Sequence, residues 1–588
     1  MQSNEVQPNN PTPAEAALQA RAVIKDRPEA TVLIIGAGIN GIATFRDLAL
    51  QGVDVAIVDR GDFVSGASAA SSHMIHGGVR YLENGEFRLV KESVTERNGL
   101  LKIAPHYVKP LQTTIPIFST FSGVLAAPLR FITHKQGKKH VERGAMLIKL
   151  GMMIYDSFSR DGGTVPRHEF TGRKRALAAL PRLNPTLKYT ATYYDAAMHD
   201  PERLALDVLR DGLDAGSHAR AANYVEAIGM DENGVRLRDT VTGAEFSFVA
   251  DVVVNTSGPW TDLTNQALGQ DSTFMGGTKG SHVVLDNPEL LAATGGREIF
   301  FEHEDGRIVL IYPLKGRVLV GTTDLEHDMK DPIRVTEPEI DYFFDLVKTV
   351  FPTIAMDRSQ IVYRFSGVRP LPRHDDEAPG FVSRDYRIEQ APLAHRAGTL
   401  LSLVGGKWTT FRALAENLSS QILELVGAER TVSTEGLAIG GGKGFPATEA
   451  AHLVWVTAHG DEIGRARAAE LLARYGTRAA FVIDFMIEQS AGPADAPLVH
   501  APTYSRREIE YLAATESVVR LIDVLLRRTS IAFVGGANTA VIEELATVVA
   551  PILGWDAARR ASEVDYARGI LADVHGIVLT PGPVSVDA

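Results

Sequence analysis

Residues 31–60 read TVLIIGAGINGIATFRDLALQGVDVAIVDR, and this stretch decides the fold. The apolar run at 32–35 predicts a short buried strand, and the pattern after it predicts a helix with one apolar face. A second apolar run at 55–58 predicts another strand. Strand, glycine-rich turn, helix and strand in this order predict a βαβ unit that binds a nucleotide.

The spacing of the glycines has a physical reason at each position. Gly36 allows the tight turn, Gly38 lets a pyrophosphate approach the backbone at the start of the helix, and Gly41 allows the helix to pack close to the strand. Asp59 lies 18 residues beyond Gly41, where a carboxylate can accept hydrogen bonds from both ribose hydroxyls. An acid there argues against a 2′-phosphate, hence against NADP, but the pattern leaves NAD and FAD open.

Composition limits the remaining classes. A chain of 588 residues is too long for one core, and domain-size statistics predict roughly three to four units. The net charge of −12 makes a nucleic-acid partner unexpected. The absence of cysteine excludes disulfides, thiolate catalysis and iron–sulfur clusters, and no histidine pattern has metal-ligand spacing, so no metal is expected. Redox chemistry would therefore need an organic cofactor.

The sequence also bears on location. Residues 1–28 are polar without an apolar signal-peptide core, and no apolar run reaches 18 residues, so we expect a cytoplasmic protein without a spanning helix. Residues 129–155 place six Lys or Arg side chains beside or within an apolar, methionine-rich stretch. Such a segment suits an anionic membrane surface. A packed helix with a solvated basic loop explains it equally well.

The loop after the βαβ unit is rich in small polar residues. Ser68, Ser71 and Ser72 are suited to a helix start that faces a phosphate, although a plain solvated loop is the alternative. The stretch IHGGVRYLE follows at 75–83, and EFRLVKE at 86–92.

These motifs resemble the FAD-dependent glycerol-3-phosphate dehydrogenases. The matches continue in the family's order over most of residues 31–530, with VNTSGPWTD at 254–262, KGSHVV at 279–284, VGTTD at 320–324, FSGVRPL at 365–371, SRDY at 383–386, GGKWTTFR at 405–412 and IDVLLRRT at 522–529. One position departs from the family pattern, because His73 stands where the family has Lys or Arg. That change removes a fixed positive charge near the cofactor or substrate.

The resemblance implies a set of site residues. The substrate and its phosphate would be surrounded by Arg80, Tyr81, Arg369, Arg384, Lys407 and a hydroxyl from Thr322 or Thr323. The cofactor contacts would be Gly36, Gly38, Asn40, Gly41, Asp59, Ser68, Ser71, Ser72, Gly77, Gly258, Gly406 and Lys407.

Two histidines compete for the role of general base, His282 and His76. An ordinary imidazole pKa of about 6.5 suits proton abstraction near neutral pH. We favour His282 slightly, with Arg369 polarising the alcohol oxygen.

The expected architecture is α/β, with a Rossmann-like FAD-binding domain, a mixed-sheet substrate domain and a C-terminal helical domain. A flexible tail would cover 1–28. The FAD-binding domain would take 29–97, 187–262 and 375–436, the substrate domain 98–186 and 263–374, and the helical domain 437–588.

The leading functional prediction is oxidation of sn-glycerol 3-phosphate to dihydroxyacetone phosphate, with electrons passed to quinone at the cytoplasmic face of the inner membrane. The alternatives are a dehydrogenase of another alditol phosphate such as erythritol phosphate, an oxygen-using oxidase, and a non-catalytic flavin-binding sensor. The sequence leaves the oligomeric state open, a homodimer included.

Overall fold

The computed structural model describes most of the chain, namely residues 22–78, 87–119, 148–149, 152, 166–302, 308–373, 385–488 and 495–579. Arg80, Tyr81, Arg384 and most of the basic stretch at 129–155 lie outside these ranges, so the predictions on them are not addressed by the structure. Within the described ranges, no helix combines the length and apolar character needed to cross a bilayer.

The strands are numbered in chain order. They are β1 (Glu29–Ile35), β2 (Val55–Val58), β3 (Met74–Ile75), β4 (Val108–Ile117), β5 (Glu169–Gly172), β6 (Tyr189–Met198), β7 (Ala219–Ala222), β8 (Val225–Asp231), β9 (Gly234–Asp239), β10 (Glu245–Asn255), β11 (Thr278–Leu285), β12 (Glu298–Glu302), β13 (Ile308–Leu314), β14 (Arg317–Gly321), β15 (Leu325–Glu326), β16 (Ile361–Arg369), β17 (Arg387–Pro392) and β18 (Thr399–Val404).

The helices are numbered likewise. They are α1 (Ile39–Leu50), α2 (Phe87–Ile103), α3 (Arg173–Ala179), α4 (Pro201–Leu213), α5 (Thr261–Ala267), α6 (Pro288–Ala293), α7 (Glu337–Val350), α8 (Phe411–Val426), α9 (Glu449–His459), α10 (Arg465–Tyr475), α11 (Ala479–Glu488), α12 (Arg506–Thr515), α13 (Leu521–Asp523), α14 (Thr539–Leu553) and α15 (Ala557–Asp573).

The first sheet is built on a parallel core in the order β18-β10-β1-β2-β7, with β17 antiparallel at one edge and the β8–β9 hairpin continuing from β10. Both faces are covered, which explains why its central strands are continuous apolar runs. Val32 and Ile34 face helices α1, α4 and α8, while Leu33 and Ile35 face a second core that includes β8 and β9. The parallel order places the ends of β1, β2 and β10 at one edge, where a nucleotide site is expected.

The second sheet has mixed strand directions, in the order β15-β11-β14-β13-β12-β4-β6-β3, with β16 paired to β11 and β5 to β6. Its alternating residues separate two cores. Val283 and Leu285 of β11 pack toward helix α7, whereas Val284 packs toward the C-terminal helices. The sheet thus packs against α7 on one face and against the helical domain on the other.

A buried ion cluster joins the C-terminal domain to the nucleotide-binding sheet. Asp62, just after β2, accepts hydrogen bonds from Arg528 at 2.6 and 2.9 Å and pairs with Arg527. Arg527 also donates to Asp523 at 2.8 Å. Because these side chains are buried, the cluster holds the two domains in a defined orientation.

The observed architecture confirms the predicted α/β class with its mixed second sheet and helical C-terminal domain. The exact domain boundaries stay a prediction. Strands β3 and β6 fall in segments predicted for the first domain, yet they pair in the second sheet.

Candidate active site

The turn after β1 has the conformation that the glycine pattern predicts. Gly36 has φ +102°, and a Cβ added there would lie 2.7 Å from the Cα of Ser257. A Cβ at Gly41 would lie 2.1 Å from the carbonyl oxygen of Gly36. Both positions therefore require glycine, one for the turn and one for close packing of α1 on the strand.

The start of helix α1 opens onto the cavity. Gly38 is the N-cap residue, and Ser68 Oγ accepts a hydrogen bond from the Ile39 amide at 3.0 Å. Gly38 makes no side-chain cap, and a Cβ added there would lie 3.2 Å from Ser68 Oγ, so glycine leaves room for a phosphate beside this backbone. Ser68 thus lies at the start of α1, and its contact with a phosphate stays a prediction.

Asp59 ends β2 beside this turn. Its carboxylate accepts from the amides of Ala37 at 2.7 Å and Gly61 at 2.9 Å. Burial raises the pKa of Asp59 to about 6, and the two backbone hydrogen bonds oppose the shift. The carboxylate is fixed in position and lines the cavity, as expected of a ribose-binding acid.

A cavity of about 850 Å³ connects these residues. It runs from Asp59 and Trp260 past Gly38 and Ser68 to Gly405. A pocket of this size lies within the range that holds large cofactors. Backbone, hydroxyl and carboxylate groups line the end of the cavity that is formed by the glycine-rich turn and Asp59.

The far wall of this cavity supports the fit of FAD. Gly405 and Gly406 have φ +94° and +104°, and a Cβ at Gly406 would lie 2.5 Å from Asn40 Nδ2. Asn40 Oδ1 is buried and has no hydrogen-bond partner in the described part of the chain. A bound group with a donor would satisfy this oxygen.

Lys407 joins the loop that follows β18 to helix α2. Its ammonium donates to Ser93 Oγ at 2.7 Å, and it is the residue before the 3₁₀ turn Trp408–Thr410. Trp408 Nε1 donates to the Ser68 carbonyl at 3.0 Å, which joins this loop to the serine-rich loop. Two motifs more than 300 residues apart therefore border one site.

His282 lies on β11 in a tightly enclosed position. Its ring stacks on Phe365 with centroids 4.8 Å apart, and a Cβ added at Gly321 would lie 2.2 Å from His282 Cδ2. Nε2 is 2.8 Å from Ser72 Oγ, and the buried Nδ1 has no hydrogen-bond partner among the described residues. Burial lowers the pKa of His282 well below 6.5, with smaller contributions from Arg369 and His73. The imidazole is therefore neutral at pH 7 and able to accept a proton.

His282 of β11 and Arg369 of β16 lie on the same face of the sheet. Arg369 pairs with Thr278, which is four residues before His282 and therefore on the same side of β11. A Cβ at Gly280 would lie 2.4 Å from Arg369 Nη2, so the guanidinium covers the strand two residues before His282. The alternate residues of β11 face the other way. There Lys279 Nζ and Ser281 Oγ donate to the Glu339 carboxylate at 3.0 and 2.8 Å. A proton acceptor and a cation thus share one surface of the sheet.

Arg369 is held in place by the VGTTD turn. It donates to Asp324 Oδ1 at 2.8 Å, to Thr322 Oγ1 at 3.0 Å and to the Thr323 carbonyl at 3.1 Å. Thr323 Oγ1 instead donates to Glu339 at 2.7 Å. Of the two threonines, Thr322 is therefore the one whose hydroxyl lies beside the arginine.

The second candidate base, His76, is half-buried at the end of the same loop. Its carbonyl accepts from Thr409 Oγ1 at 3.2 Å, and the amide of the neighbouring Gly77 donates to Asp195 at 2.9 Å. Gly258, with φ +62°, begins the turn that follows β10 and lines the cavity. Of these residues Gly258 lines the cavity, and the contacts of His76 and Gly77 do not decide between the two histidines.

The three serines of the run make different contacts, and their contact with a phosphate stays a prediction. Only Ser68 bonds to the start of α1, because the chain turns away afterwards. Ser71 Oγ accepts from the His73 amide at 3.3 Å, and Ser72 bonds to His282. Ser72 thus belongs to the surroundings of the candidate base.

His73 is buried, with φ +56°, and its Nδ1 lies 3.2 Å from the Met198 carbonyl. Burial lowers its pKa to about 4. The side chain is therefore uncharged at neutral pH and does not replace the cation that the family pattern has there.

Sequence reasoning missed Asp324 and Glu339. Asp324 ends the quoted VGTTD motif, so its position was visible, but its partner lies 45 residues away. The spacing of Thr336 and Glu339 predicts a capping box at the start of α7, which the structure contains. That pattern carries no sign that the carboxylate also reaches Lys279, Ser281 and Thr323.

Comparisons with known proteins agree with this geometry. The family described as FAD dependent oxidoreductase matches residues 31–412, and the C-terminal domain of alpha-glycerophosphate oxidase matches 432–560. A glycerol-3-phosphate dehydrogenase of Synechocystis is 32% identical over 529 residues, covering 86% of this chain and 89% of that protein. Glycerol-3-phosphate dehydrogenase 2 of Mycobacterium tuberculosis (strain ATCC 25618 / H37Rv) is 31% identical, covering 92% and 88%.

Among solved structures, the glycerol-3-phosphate dehydrogenase from Bacillus halodurans complexed with FAD superposes with a TM-score of 0.70 at 20% identity. The match covers 95% of this chain and 97% of that one. The likeness shows that the described part of the chain, helical C-terminal domain included, has this fold.

Proposed function

Because this chain belongs to the family of FAD-dependent glycerol-3-phosphate dehydrogenases, we propose that it oxidises sn-glycerol 3-phosphate at carbon 2 to dihydroxyacetone phosphate. The observation that carries the proposal is the shared face of β11, where neutral His282 and cationic Arg369 lie side by side. Oxidation of a secondary alcohol needs a proton acceptor and a group that stabilises charge on the oxygen. This face supplies both.

FAD is the cofactor of this enzyme, and when bound it supplies the hydride acceptor. The residues that we propose to hold it are Gly36, Gly38, Asn40, Gly41, Asp59, Ser68, Gly258 and Gly406. The start of α1 favours the pyrophosphate charge. Asp59 would accept hydrogen bonds from the ribose, and a donor of the cofactor would satisfy the buried oxygen of Asn40.

We assign His282 as the general base. When Nε2 carries the proton and donates to Ser72, Nδ1 is the acceptor and takes the proton of the substrate hydroxyl. A depressed pKa makes a weak base, but a phosphate dianion bound nearby raises it by favouring the imidazolium. His76 remains the alternative.

Arg369 polarises the alcohol oxygen in this proposal. Asp324 and Thr322 fix its guanidinium, so little reorganisation is needed when charge develops on the substrate. Lys407, together with Arg80, Tyr81 and Arg384, would bind the phosphate, because a dianion requires several cationic donors.

We propose quinone as the electron acceptor. The description of the C-terminal family names an oxidase, which favours oxygen as the second candidate. A peripheral position on the cytoplasmic face of the inner membrane, with the basic stretch at 129–155 as the contact, belongs to the same proposal. A longer alditol phosphate such as erythritol phosphate is the alternative substrate.

Anaerobic addition of sn-glycerol 3-phosphate tests the assignment. It should bleach the visible absorbance of the bound flavin. If the band persists while erythritol phosphate bleaches it, the substrate is wrong. If neither compound bleaches a fully loaded protein, the enzyme has another substrate or is the non-catalytic sensor. Peroxide yield in air then separates an oxidase from a quinone-linked enzyme.

A further inference from the structure

The cavity continues beyond the dinucleotide end into a region between the second sheet and the C-terminal helices. We call this region the inner lobe, and define it by His73, Glu202, Tyr363, Arg527, Phe533 and His575, all of which line the cavity. None of these residues has a role in the proposed oxidation of the substrate.

The walls of the inner lobe are aromatic. His575 stacks on Tyr363 with centroids 4.6 Å apart and an interplanar angle of 10°. The ring centroid of Phe533 lies 5.8 Å from that of Tyr363 and 5.1 Å from that of His73. Flat side chains from β16, the serine-rich loop and the helical domain thus surround one space, which suits a planar ring.

The charges around the inner lobe are balanced. Arg527 pairs with Asp62 and Asp523, and the neighbouring Lys315 pairs with Asp200 at 2.8 Å. Burial lowers the pKa of His73 and of His575 to about 4 and raises that of Glu202 to about 8, so these three groups are uncharged at pH 7. A lobe without net charge disfavours a phosphate ester or a cation.

Several polar groups nevertheless face the inner lobe and can form further hydrogen bonds. The Tyr363 hydroxyl and Arg527 Nη1 make no hydrogen bond within the described ranges, and the Glu202 carboxyl bonds to its own backbone amide but to no other side chain there. His575 Nδ1 donates to the Arg364 carbonyl and His73 Nδ1 to that of Met198, which leaves both Nε2 atoms as acceptors. Donors and acceptors are therefore present together.

We propose that the inner lobe binds an uncharged planar ring that carries carbonyl or hydroxyl oxygens. Its carbonyl form accepts from Tyr363 and Arg527, and its hydroxyl form donates to the two imidazoles. Such a compound changes between the two forms by taking up two electrons and two protons. Resting on the proposed function, we assign it as the quinone, reached from the flavin through the same cavity.

The step balances as follows. Two electrons and two protons leave the reduced cofactor, and both carbonyl oxygens of the quinone become hydroxyls. The Glu202 carboxyl, which is protonated at neutral pH, delivers one of these protons and is reprotonated by a proton that the cofactor releases. The substrate side of the reaction is unchanged.

The test uses the FAD-loaded protein, reduced with dithionite so that it does not depend on the substrate, and 2,3-dimethoxy-5-methyl-1,4-benzoquinone as the probe. Phe533→Trp fills the lobe, and Tyr363→Phe removes a donor. Both should slow flavin reoxidation by the quinone, the second by about fivefold, the loss expected for one hydrogen bond. Equilibrium dialysis of the oxidised protein should show the same order of weakened quinone binding.

Matched controls are Phe485→Trp and Tyr511→Phe, half-buried residues of the helical domain outside the cavity. Unchanged reoxidation and binding in both lobe variants would overturn the proposal, as would loss of FAD from Phe533→Trp, which would make the lobe part of the cofactor site. Failure of glycerol 3-phosphate to bleach the parent protein would contradict the proposed function and would leave the quinone test unaffected.

Discussion

Ser72 and His282 lie 210 residues apart in the chain, and their Oγ and Nε2 atoms are 2.8 Å apart. This contact joins the loop that follows the nucleotide-binding unit to the strand that carries the candidate base. The side chain that contacts the imidazole therefore comes from the serine-rich loop and not from the strands around His282.

Ser72→Ala should reduce the rate of flavin reduction by glycerol 3-phosphate about fivefold, since one hydrogen bond to His282 is lost. KM should change little, because Ser72 holds the base and not the phosphate. Anaerobic stopped-flow absorbance at saturating substrate measures this rate. Thr547→Ala is the control, since that exposed hydroxyl donates to the Glu543 carbonyl of its own helix α14. Equal rates for Ser72→Ala and the parent would exclude the orienting role.

Asp324→Asn should lower kcat/KM roughly tenfold, in the range of a lost charge-assisted hydrogen bond of ~1–2 kcal/mol. The pair is partly exposed, so solvent screening keeps the loss below that of a buried ion pair. Steady-state kinetics measure the effect. Asp345→Asn, which removes an exposed carboxylate on α7, should leave it unchanged. A parent-like kcat/KM for Asp324→Asn would mean that Thr322 and the Thr323 carbonyl position Arg369 without the carboxylate.

The affinity for FAD should weaken as the pH falls below about 6. Burial raises the pKa of Asp59 to about 6, so below that pH its carboxyl is protonated and cannot accept from both ribose hydroxyls. Binding then displaces a proton, and Kd rises by at most tenfold per pH unit. Flavin fluorescence titrations of the apoprotein measure this. Asp59→Asn should bind more weakly with no such dependence, and an identical pH profile in both proteins would contradict the ribose contact.

Asp62→Asn should destabilise the protein by ~3–5 kcal/mol, because it leaves Arg527 and Arg528 without their shared buried carboxylate. The two arginines hold the pKa of Asp62 well below its usual 3.8. The stabilisation is therefore present above about pH 4 and is lost as the pH falls further. Urea unfolding at pH 7 measures the change. The exposed Asp484→Asn is the control, and equal midpoints for both variants would show that the cluster does not couple the domains.

The sequence predicted the parts of the site that are local in the chain. Gly36, Gly41 and Asp59 fall within one βαβ unit, and their roles follow from backbone sterics over 24 residues. The contact of Ser72 with His282 could not be predicted, because it depends on how two sheets pack. His73 was recognised as a departure, but its uncharged state depends on a burial that sequence does not reveal.

Glu339 is a second residue whose long-range contacts the sequence does not predict. Its spacing from Thr336 predicts a capping box, and the structure contains that box. The same carboxylate also accepts from Ser281 and Thr323 behind the candidate base. A residue that satisfies a local pattern gives no indication of a second, long-range partner. The fold was thus predictable from periodic patterns, whereas the supports of the site were not.

The alternating faces of β11 restrict how relatives of this protein can vary in length. An insertion or deletion of one residue before His282 would turn the imidazole toward Glu339 and bring Ser281 beneath Arg369. Changes of two residues keep the faces but shift the register against β14 and β16. Length variation should therefore accumulate in the turns around this strand, and on the roles proposed for His282 and Arg369 a relative with an odd-length change inside it should lack the reaction.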